Sequence, residues 1–236
     1  MLPYIAEFIG TSLLILLGCG VCCCVNLEKS GFKGGGTMQI TIGWAFAVMI
    51  PAFIFGAASG AHFNPALTIA LAVIGKFQWA LVPGYCAAQI IGALLGATLV
   101  WILYMKHFEQ TDNKALKLGV FCTAPSIKNT GLNLLSEIIG TFVLVFAILG
   151  ISQVPDIAGG MTPVFVWAII GSIGMSLGGL TGYAINPARD FGPRLAHAIL
   201  PIKGKGDSNW SYAWIPIVGP IIGGILAAEL FVIIPW

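Results

Sequence analysis

Gly60-Ala61-His62-Phe63-Asn64-Pro65-Ala66 decides the reading of this chain, because the tripeptide Asn64-Pro65-Ala66 returns far downstream as Asn186-Pro187-Ala188. In both copies Asn stands at a helix N-cap position and Pro at the first helical position, with an apolar run behind them, so each copy starts a helix. The first run goes from Pro65 to about Gly75 and the second from Pro187 to about Leu200. Both fall near the ~10–14 residues that read as re-entrant rather than spanning. Half-helices at bilayer depth leave backbone groups open, which is tolerated only where those groups line a watery cavity or are covered by protein.

The rest of the chain supplies the bilayer setting. Of its 236 residues 58% are hydrophobic and 8% charged, and the mean hydropathy is +0.94, which marks an integral membrane protein. A net charge of +2 with no basic face argues against a nucleic-acid partner. The apolar segment from Tyr4 to about Val25 is too long for a signal-peptide core and has no basic region before it, so it reads as a retained span. Cys19, Cys22, Cys23 and Cys24 crowd one apolar run, Cys86 lies in another and Cys122 in a loop. No His or carboxylate stands at ligand spacing beside them, so they read as small buried hydrophobes, and neither a metal nor a cofactor is expected.

Six runs are long enough to cross about 30 Å of hydrocarbon: residues 4–25, 38–58, 79–104, 132–152, 162–180 and 212–234. The two short helices lie between the second and third runs and between the fifth and sixth. Pro51 falls inside the second run and is expected to kink it. The polar connections, residues 26–37, 105–131, 153–161 and 201–211, are too small to be soluble domains. The fold class is therefore an all-α membrane protein of six transmembrane helices and two re-entrant half-helices.

The halves repeat one another. Ala6-Glu7-Phe8-Ile9-Gly10-Thr11 matches Ser136-Glu137-Ile138-Ile139-Gly140-Thr141, and Gln89-Ile90-Ile91-Gly92-Ala93 matches Pro220-Ile221-Ile222-Gly223-Gly224. One channel domain, 1–236, thus holds repeats at 1–110 and 131–236 joined by the loop 111–130. Three spans per half is an odd number, so the second half enters from the opposite face and the repeat is inverted. That brings the two half-helix N-termini, each with partial positive charge, together near the midplane. The pairs Gly56/Gly60, Gly92/Gly96, Gly174/Gly178, Gly178/Gly182 and Gly219/Gly223 are candidate seams for close helix packing.

These features resemble the major intrinsic protein family, the aquaporins, across essentially the whole chain. The strings Ser59-Gly60-Ala61-His62-Phe63-Asn64-Pro65-Ala66 and Gly182-Tyr183-Ala184-Ile185-Asn186-Pro187-Ala188-Arg189-Asp190-Phe191-Gly192-Pro193-Arg194 carry the resemblance. Asp190 directly after Arg189 is similar to the glycerol-facilitator branch. The resemblance implies a passive conduit in which Asn64 and Asn186 offer N–H donors to the lumen. A passing oxygen turns toward them, a hydrogen-bonded wire is interrupted, and the positive field repels hydronium and other cations. The approaches Gly60-Ala61-His62-Phe63 and Gly182-Tyr183-Ala184-Ile185 would be extended and present a ladder of carbonyl acceptors, with the ring of His62 hydrogen-bonded at the wall.

By the same resemblance, selectivity sits at a constriction lined by Trp44, Gly174, Tyr183 and Arg189. The guanidinium donors of Arg189 suit adjacent hydroxyls and its charge opposes cations. Trp44 and Tyr183 form an apolar corner and Gly174 leaves space, a ring of polyol size. Glycerol facilitators commonly have Phe where this chain has Tyr183. Its hydroxyl either points into the lumen, shifting preference toward water, lactic acid, dihydroxyacetone or hydrogen peroxide, or bonds the wall. Glu7 and Glu137 are intramembrane carboxylates, expected with Gln89 to anchor the carbonyl-bearing approaches, while Asp190 pairs with a positive group to hold its loop.

The resemblance further implies a homotetramer in the cell membrane with both termini cytoplasmic. The basic residues disagree with that orientation, for it leaves Lys29, Lys33, Lys106, Lys114, Lys117, Lys128, Lys203 and Lys205 outside and Lys76 inside, against the positive-inside rule. Two other classes share some features. An ion-coupled transporter also uses inverted repeats and broken helices, but the buried acids here are the symmetric Glu7 and Glu137. A membrane enzyme would need a nucleophile–base or metal cluster, and none is legible.

Overall fold

The computed structural model describes residues 1–158 and 160–236. Helices α1 (Leu2–Asn26), α2 (Gly36–Ser59), α4 (Val82–Gln110), α6 (Thr130–Ile151), α8 (Thr162–Thr181) and α10 (Ile215–Ile233) are long and apolar enough to cross a bilayer. The half-helices are α3 (Pro65–Val73) and α9 (Pro187–Ile199). Helix α2 runs on through Pro51, the position expected to kink. Two further helices lie in stretches read from the sequence as plain connections: α5 (Lys114–Phe121) and the single turn α7 (Pro155–Ala158). Helix α4 also continues to Gln110, six residues past the expected end at 104, before Thr111 turns extended.

The packing is pairwise symmetric. Helix α1 lies against α2 and α4 as α6 lies against α8 and α10, and each half-helix packs on the last span of the other repeat, α3 on α10 and α9 on α4. Small residues set the closest approaches. A Cβ added at Gly92 would stand 2.2 Å from the Phe8 carbonyl oxygen, and one at Gly223 2.1 Å from that of Ile138, so any larger side chain would force α1 from α4 or α6 from α10. Gly96 and Gly219 extend these two seams. Of the other expected seams, Gly174 meets Thr41 of α2 as well as the ring of Tyr183, Gly178 meets that ring alone, Gly56 faces open space, and Gly60 and Gly182 are left-handed C-caps of α2 and α8.

Cys19, Cys22, Cys23 and Cys122 are buried in the α1 core and unbridged, Cys122 included although it lies in a loop. Two lysines of the connections are drawn inward as well. Lys117, 3% exposed, donates from Nζ to the Lys203 carbonyl. Lys205 Nζ donates to the Ala198 and Leu200 carbonyls at 2.6 and 2.7 Å, capping the C-terminus of α9. Burial pushes the ammonium pKa of both down from the usual lysine value.

Candidate functional site

Each half-helix is started by its own asparagine. Asn64 Oδ1 accepts from Ala66 N at 2.9 Å, and Asn186 Oδ1 accepts from Ala188 N and Arg189 N at 3.0 and 3.2 Å. Capping leaves each side-chain amide free to donate, and the donations cross between repeats. Asn64 Nδ2 donates to Ile185 O and Asn186 Nδ2 donates to Phe63 O, both at 2.8 Å. An amide nitrogen carries two hydrogens, so one N–H of each asparagine is held by the other repeat and one is left for the cavity. The two helix N-termini therefore meet tip to tip, and their positive ends add.

The approaches to these tips are not extended, as the sequence suggested. Ala61 and Phe63 hold φ of 51° and 47°, and Tyr183 and Ile185 hold 39° and 44°, all in the left-handed region. For non-glycine residues this costs of order 1–3 kcal/mol each, most for a β-branched side chain such as Ile185. Buried carboxylates hold the conformation. Glu7, 0% exposed, accepts from His62 N (3.0 Å), Phe63 N (2.7 Å), Ser59 Oγ (2.6 Å) and Gln89 Nε2 (2.8 Å). Glu137, 1% exposed, accepts from Ala184 N (3.1 Å), Ile185 N (2.9 Å) and Thr181 Oγ1 (2.6 Å). Successive N–H groups converging on one anion form a nest, and turning the amides to the wall turns the carbonyls the other way. Among the described residues nothing donates to the oxygens of Gly60, Ala61, His62, Gly182, Tyr183 or Ala184.

A cavity of about 690 Å³ runs past both tips, lined by Gly60, Ala61, His62, Phe63, Asn64, Tyr183, Ala184, Ile185, Asn186, Trp44 and Arg189, with apolar residues such as Val48 and Leu144 opposite. Arg189 is the charged residue of that lining. Its guanidinium lies 4.0 Å over the Trp44 ring and one arm donates to Phe121 O at 3.3 Å, which fixes the fork while its other N–H groups have no partner among the described residues. Trp44 is itself held from behind, its Nε1 donating to Cys22 Sγ at 3.3 Å and its ring occupying the space that Gly18 leaves. Residues 2–231 match the description "Major intrinsic protein". The chain belongs to the major intrinsic protein family.

Several of its relatives within the family are named for glycerol, and one of Lactiplantibacillus plantarum, 39% identical over 228 residues and covering 95% of this chain and 94% of that one, is named a D/L-lactic acid transporter. The chain is 57% identical over 231 residues to a probable glycerol uptake facilitator protein of Thermotoga maritima, covering 98% of each chain. It is 55% identical over 224 residues to the glycerol uptake facilitator protein of Bacillus subtilis, covering 95% of this chain and 81% of that one. Among solved structures, the aquaglyceroporin of Plasmodium falciparum superposes with a TM-score of 0.85 at 31% identity, covering 97% of this chain and 94% of that one. The chain is thus a multi-pass membrane protein with the aquaporin fold.

Of the four residues expected at the constriction, Trp44, Tyr183 and Arg189 line the cavity of this family member and Gly174 does not. A Cβ on Gly174 would lie 2.8 Å from Tyr183 Cζ and 3.0 Å from its hydroxyl oxygen, so the tyrosine fills the room that Gly174 leaves. Its hydroxyl points into the wall, buried and without a hydrogen-bond partner among the described residues. Gly182, expected on the carbonyl ladder, is the C-cap of α8 and lies outside the cavity lining. His62 hydrogen-bonds Thr68 Oγ1 through Nδ1 at 3.1 Å and packs on Phe77 and Tyr85.

The sequence reading expects Asp190 to pair with a positive group, while Arg194, Ser59 and Thr181 carry weight it did not give them. Asp190, fully buried, pairs with Arg194 at 2.7 Å and accepts from Thr123 N and Oγ1, both at 2.7 Å. Arg194 in turn donates to Ser208 O, Asn209 O and Thr123 O, clamping both flanking connections onto α9. The i,i+4 spacing of Asp190 and Arg194 on a helix was the available signal. Ser59 and Thr181, the hydroxyls at the ends of α2 and α8, gave none except their symmetry about the repeat.

Proposed function

We propose that this family member is a passive channel for glycerol and related small neutral solutes, and for water, that excludes protons and ions. The observation that carries the reading is the corner made by the guanidinium of Arg189 stacked on Trp44 and faced by the Tyr183 ring, beside a wall of unpaired carbonyls. A polyol has two unlike sides. Its hydroxyls donate to the carbonyls and accept from Arg189, while its carbon edge slides along the two aromatic rings, so hydration is exchanged for protein contacts. At the meeting of the half-helices the free N–H of Asn64 and that of Asn186 donate to one solute oxygen between them. A water held there donates outward in both directions, which interrupts proton hopping, and the summed helix-terminal charge with Arg189 opposes cations.

In this reading residues 1–236 form one channel domain built of repeats 1–110 and 131–236, with the lipid bilayer as solvent and no catalytic step. Four copies assemble with one pore in each, and both termini lie in the cytoplasm. The inward-drawn lysines soften the conflict with the positive-inside rule, since Lys117 and Lys205 are tied to backbone carbonyls of the folded connections rather than free at the surface. A cysteine-accessibility map decides the orientation: Ser30→Cys should label from outside the cell, and labelling of Gln153→Cys from outside would reverse the topology.

Stopped-flow light scattering on proteoliposomes tests the function. Glycerol and water permeabilities well above those of empty vesicles, without saturation and without an ion gradient, are expected. Flux that saturates at low glycerol, or collapses when an ion gradient is removed, would replace the channel by a coupled transporter.

A further inference from the structure

Tyr183 cannot move freely: its backbone is fixed by the Glu137 carboxylate gripping the next two amides, and its φ of 39° sets the direction of the side chain. The ring lies in a slot on α8. Gly174 forms one end of that slot, shared with Thr41, whose Cγ2 would be 2.6 Å from a Gly174 Cβ. One helical turn on, a Cβ at Gly178 would stand 2.7 Å from Tyr183 Cδ1 and 3.0 Å from Cε1. The inverted repeat supplies an internal control. Counted from the two asparagines, Gly178 corresponds to Gly56 and Tyr183 to Ala61, and where no aromatic ring is present a Cβ at Gly56 meets nothing within 4 Å. The close contact at Gly178 therefore belongs to the ring and not to helix packing.

We propose that Gly178 sets the aperture of the channel by giving the Tyr183 ring its depth in the wall. It is a positioning residue that acts through Tyr183. A methyl group there displaces the ring by about 1 Å, because carbon pairs rest at about 3.5–4.0 Å. With Gly174, Thr41 and the helix behind it, the ring moves toward the lumen and the corner opposite Arg189 narrows. A solute with a carbon backbone is then obstructed before water is.

This inference rests on the glycerol-channel reading, and the experiment keeps the two apart. Glycerol and water permeabilities are measured on proteoliposomes of the wild type, Gly178→Ala, Tyr183→Ala, the double variant and Gly179→Ala, whose position faces open space. Alanine is a better helix former than glycine at positions 178 and 179, both within α8. Gly178→Ala should lower the glycerol-to-water permeability ratio about tenfold, the scale of steric discrimination by one methylene group. Gly179→Ala should leave the ratio unchanged, and the double variant should match Tyr183→Ala. An unchanged ratio in Gly178→Ala, an equal fall of both permeabilities, or a double variant that differs from Tyr183→Ala would overturn the proposal. The last comparison holds even if Gly178→Ala alone fails to assemble. A wild type that conducts water and no glycerol would instead overturn the function proposed above.

Discussion

The two half-helix tips share a backbone and differ in what is built around it. At the first, Glu7 holds two amides and is itself backed by Gln89, which also donates to Thr68, so the surroundings are polar but uncharged beyond the carboxylate. At the second, Glu137 holds the corresponding amides with no glutamine behind it, since Pro220 stands where the first repeat has Gln89. Asp190 replaces Thr68, Arg194 replaces Ala72, Arg189 replaces Leu67 and Tyr183 replaces Ala61. The shared parts are those that both directions of travel need: a capped helix end, a turned row of carbonyls and an anion behind the amides. The unshared parts crowd into the second repeat, and they are the ones that can discriminate among solutes or tie down the connecting loops. A symmetric frame with a one-sided lining teaches that the field at the centre and the choice of solute are separable properties.

The two tips should therefore fail differently, the second through its buried ion pair and the first through the glutamine behind its carboxylate. The largest effect is expected for Arg194→Met, which leaves Asp190 buried without its partner and frees Thr123, Ser208 and Asn209. Removing one member of a buried ion pair costs about 3–5 kcal/mol. The variant should lose its monodisperse peak or melt far below wild type in detergent, whereas Thr68→Val at the matching site should lower the melting temperature much less. Next come the two carboxylates. Glu7→Gln and Glu137→Gln each place an amide against backbone donors, at about 1–3 kcal/mol, and Glu7→Gln should suffer more because Gln89 Nε2 then also faces a donor. Equal melting temperatures for the two would remove Gln89 from the comparison.

Selectivity sharpens the contrast further. Arg189→Val should preserve the fold and admit larger or charged solutes, read as ion or proton leak with a pH-sensitive dye inside vesicles; an unaltered exclusion profile would take Arg189 out of the constriction. The smallest effect belongs to Tyr183→Phe. Because the hydroxyl is buried against Gly174 and unpartnered, its removal should leave the glycerol-to-water ratio within about twofold and could raise stability by about 1 kcal/mol. A marked shift of the ratio would mean that the hydroxyl turns into the lumen.

The spans, the half-helices and their capping residues were legible because hydropathy, Asn-Pro caps and internal repetition are local signals. Helix α5 was not, although Asn113 caps it, because its residues mix lysines with apolar side chains over barely two turns. The left-handed turns at Ala61, Phe63, Tyr183 and Ile185 were invisible for a different reason. No residue there favours that conformation, and what imposes it is a carboxylate some fifty residues away in sequence, Glu7 for one approach and Glu137 for the other. Gly174 and Gly178 looked like packing seams, and only the position of the Tyr183 ring distinguishes a seam from a slot.

The crossed amide bonds have one more consequence. Asn64 finds its acceptor on Ile185 and Asn186 finds its acceptor on Phe63, so neither repeat on its own can satisfy its own tip. Half a molecule would carry a dangling donor and a dangling acceptor at bilayer depth, and two halves produced as separate polypeptides have a strong reason to find each other, head against head, in the same membrane.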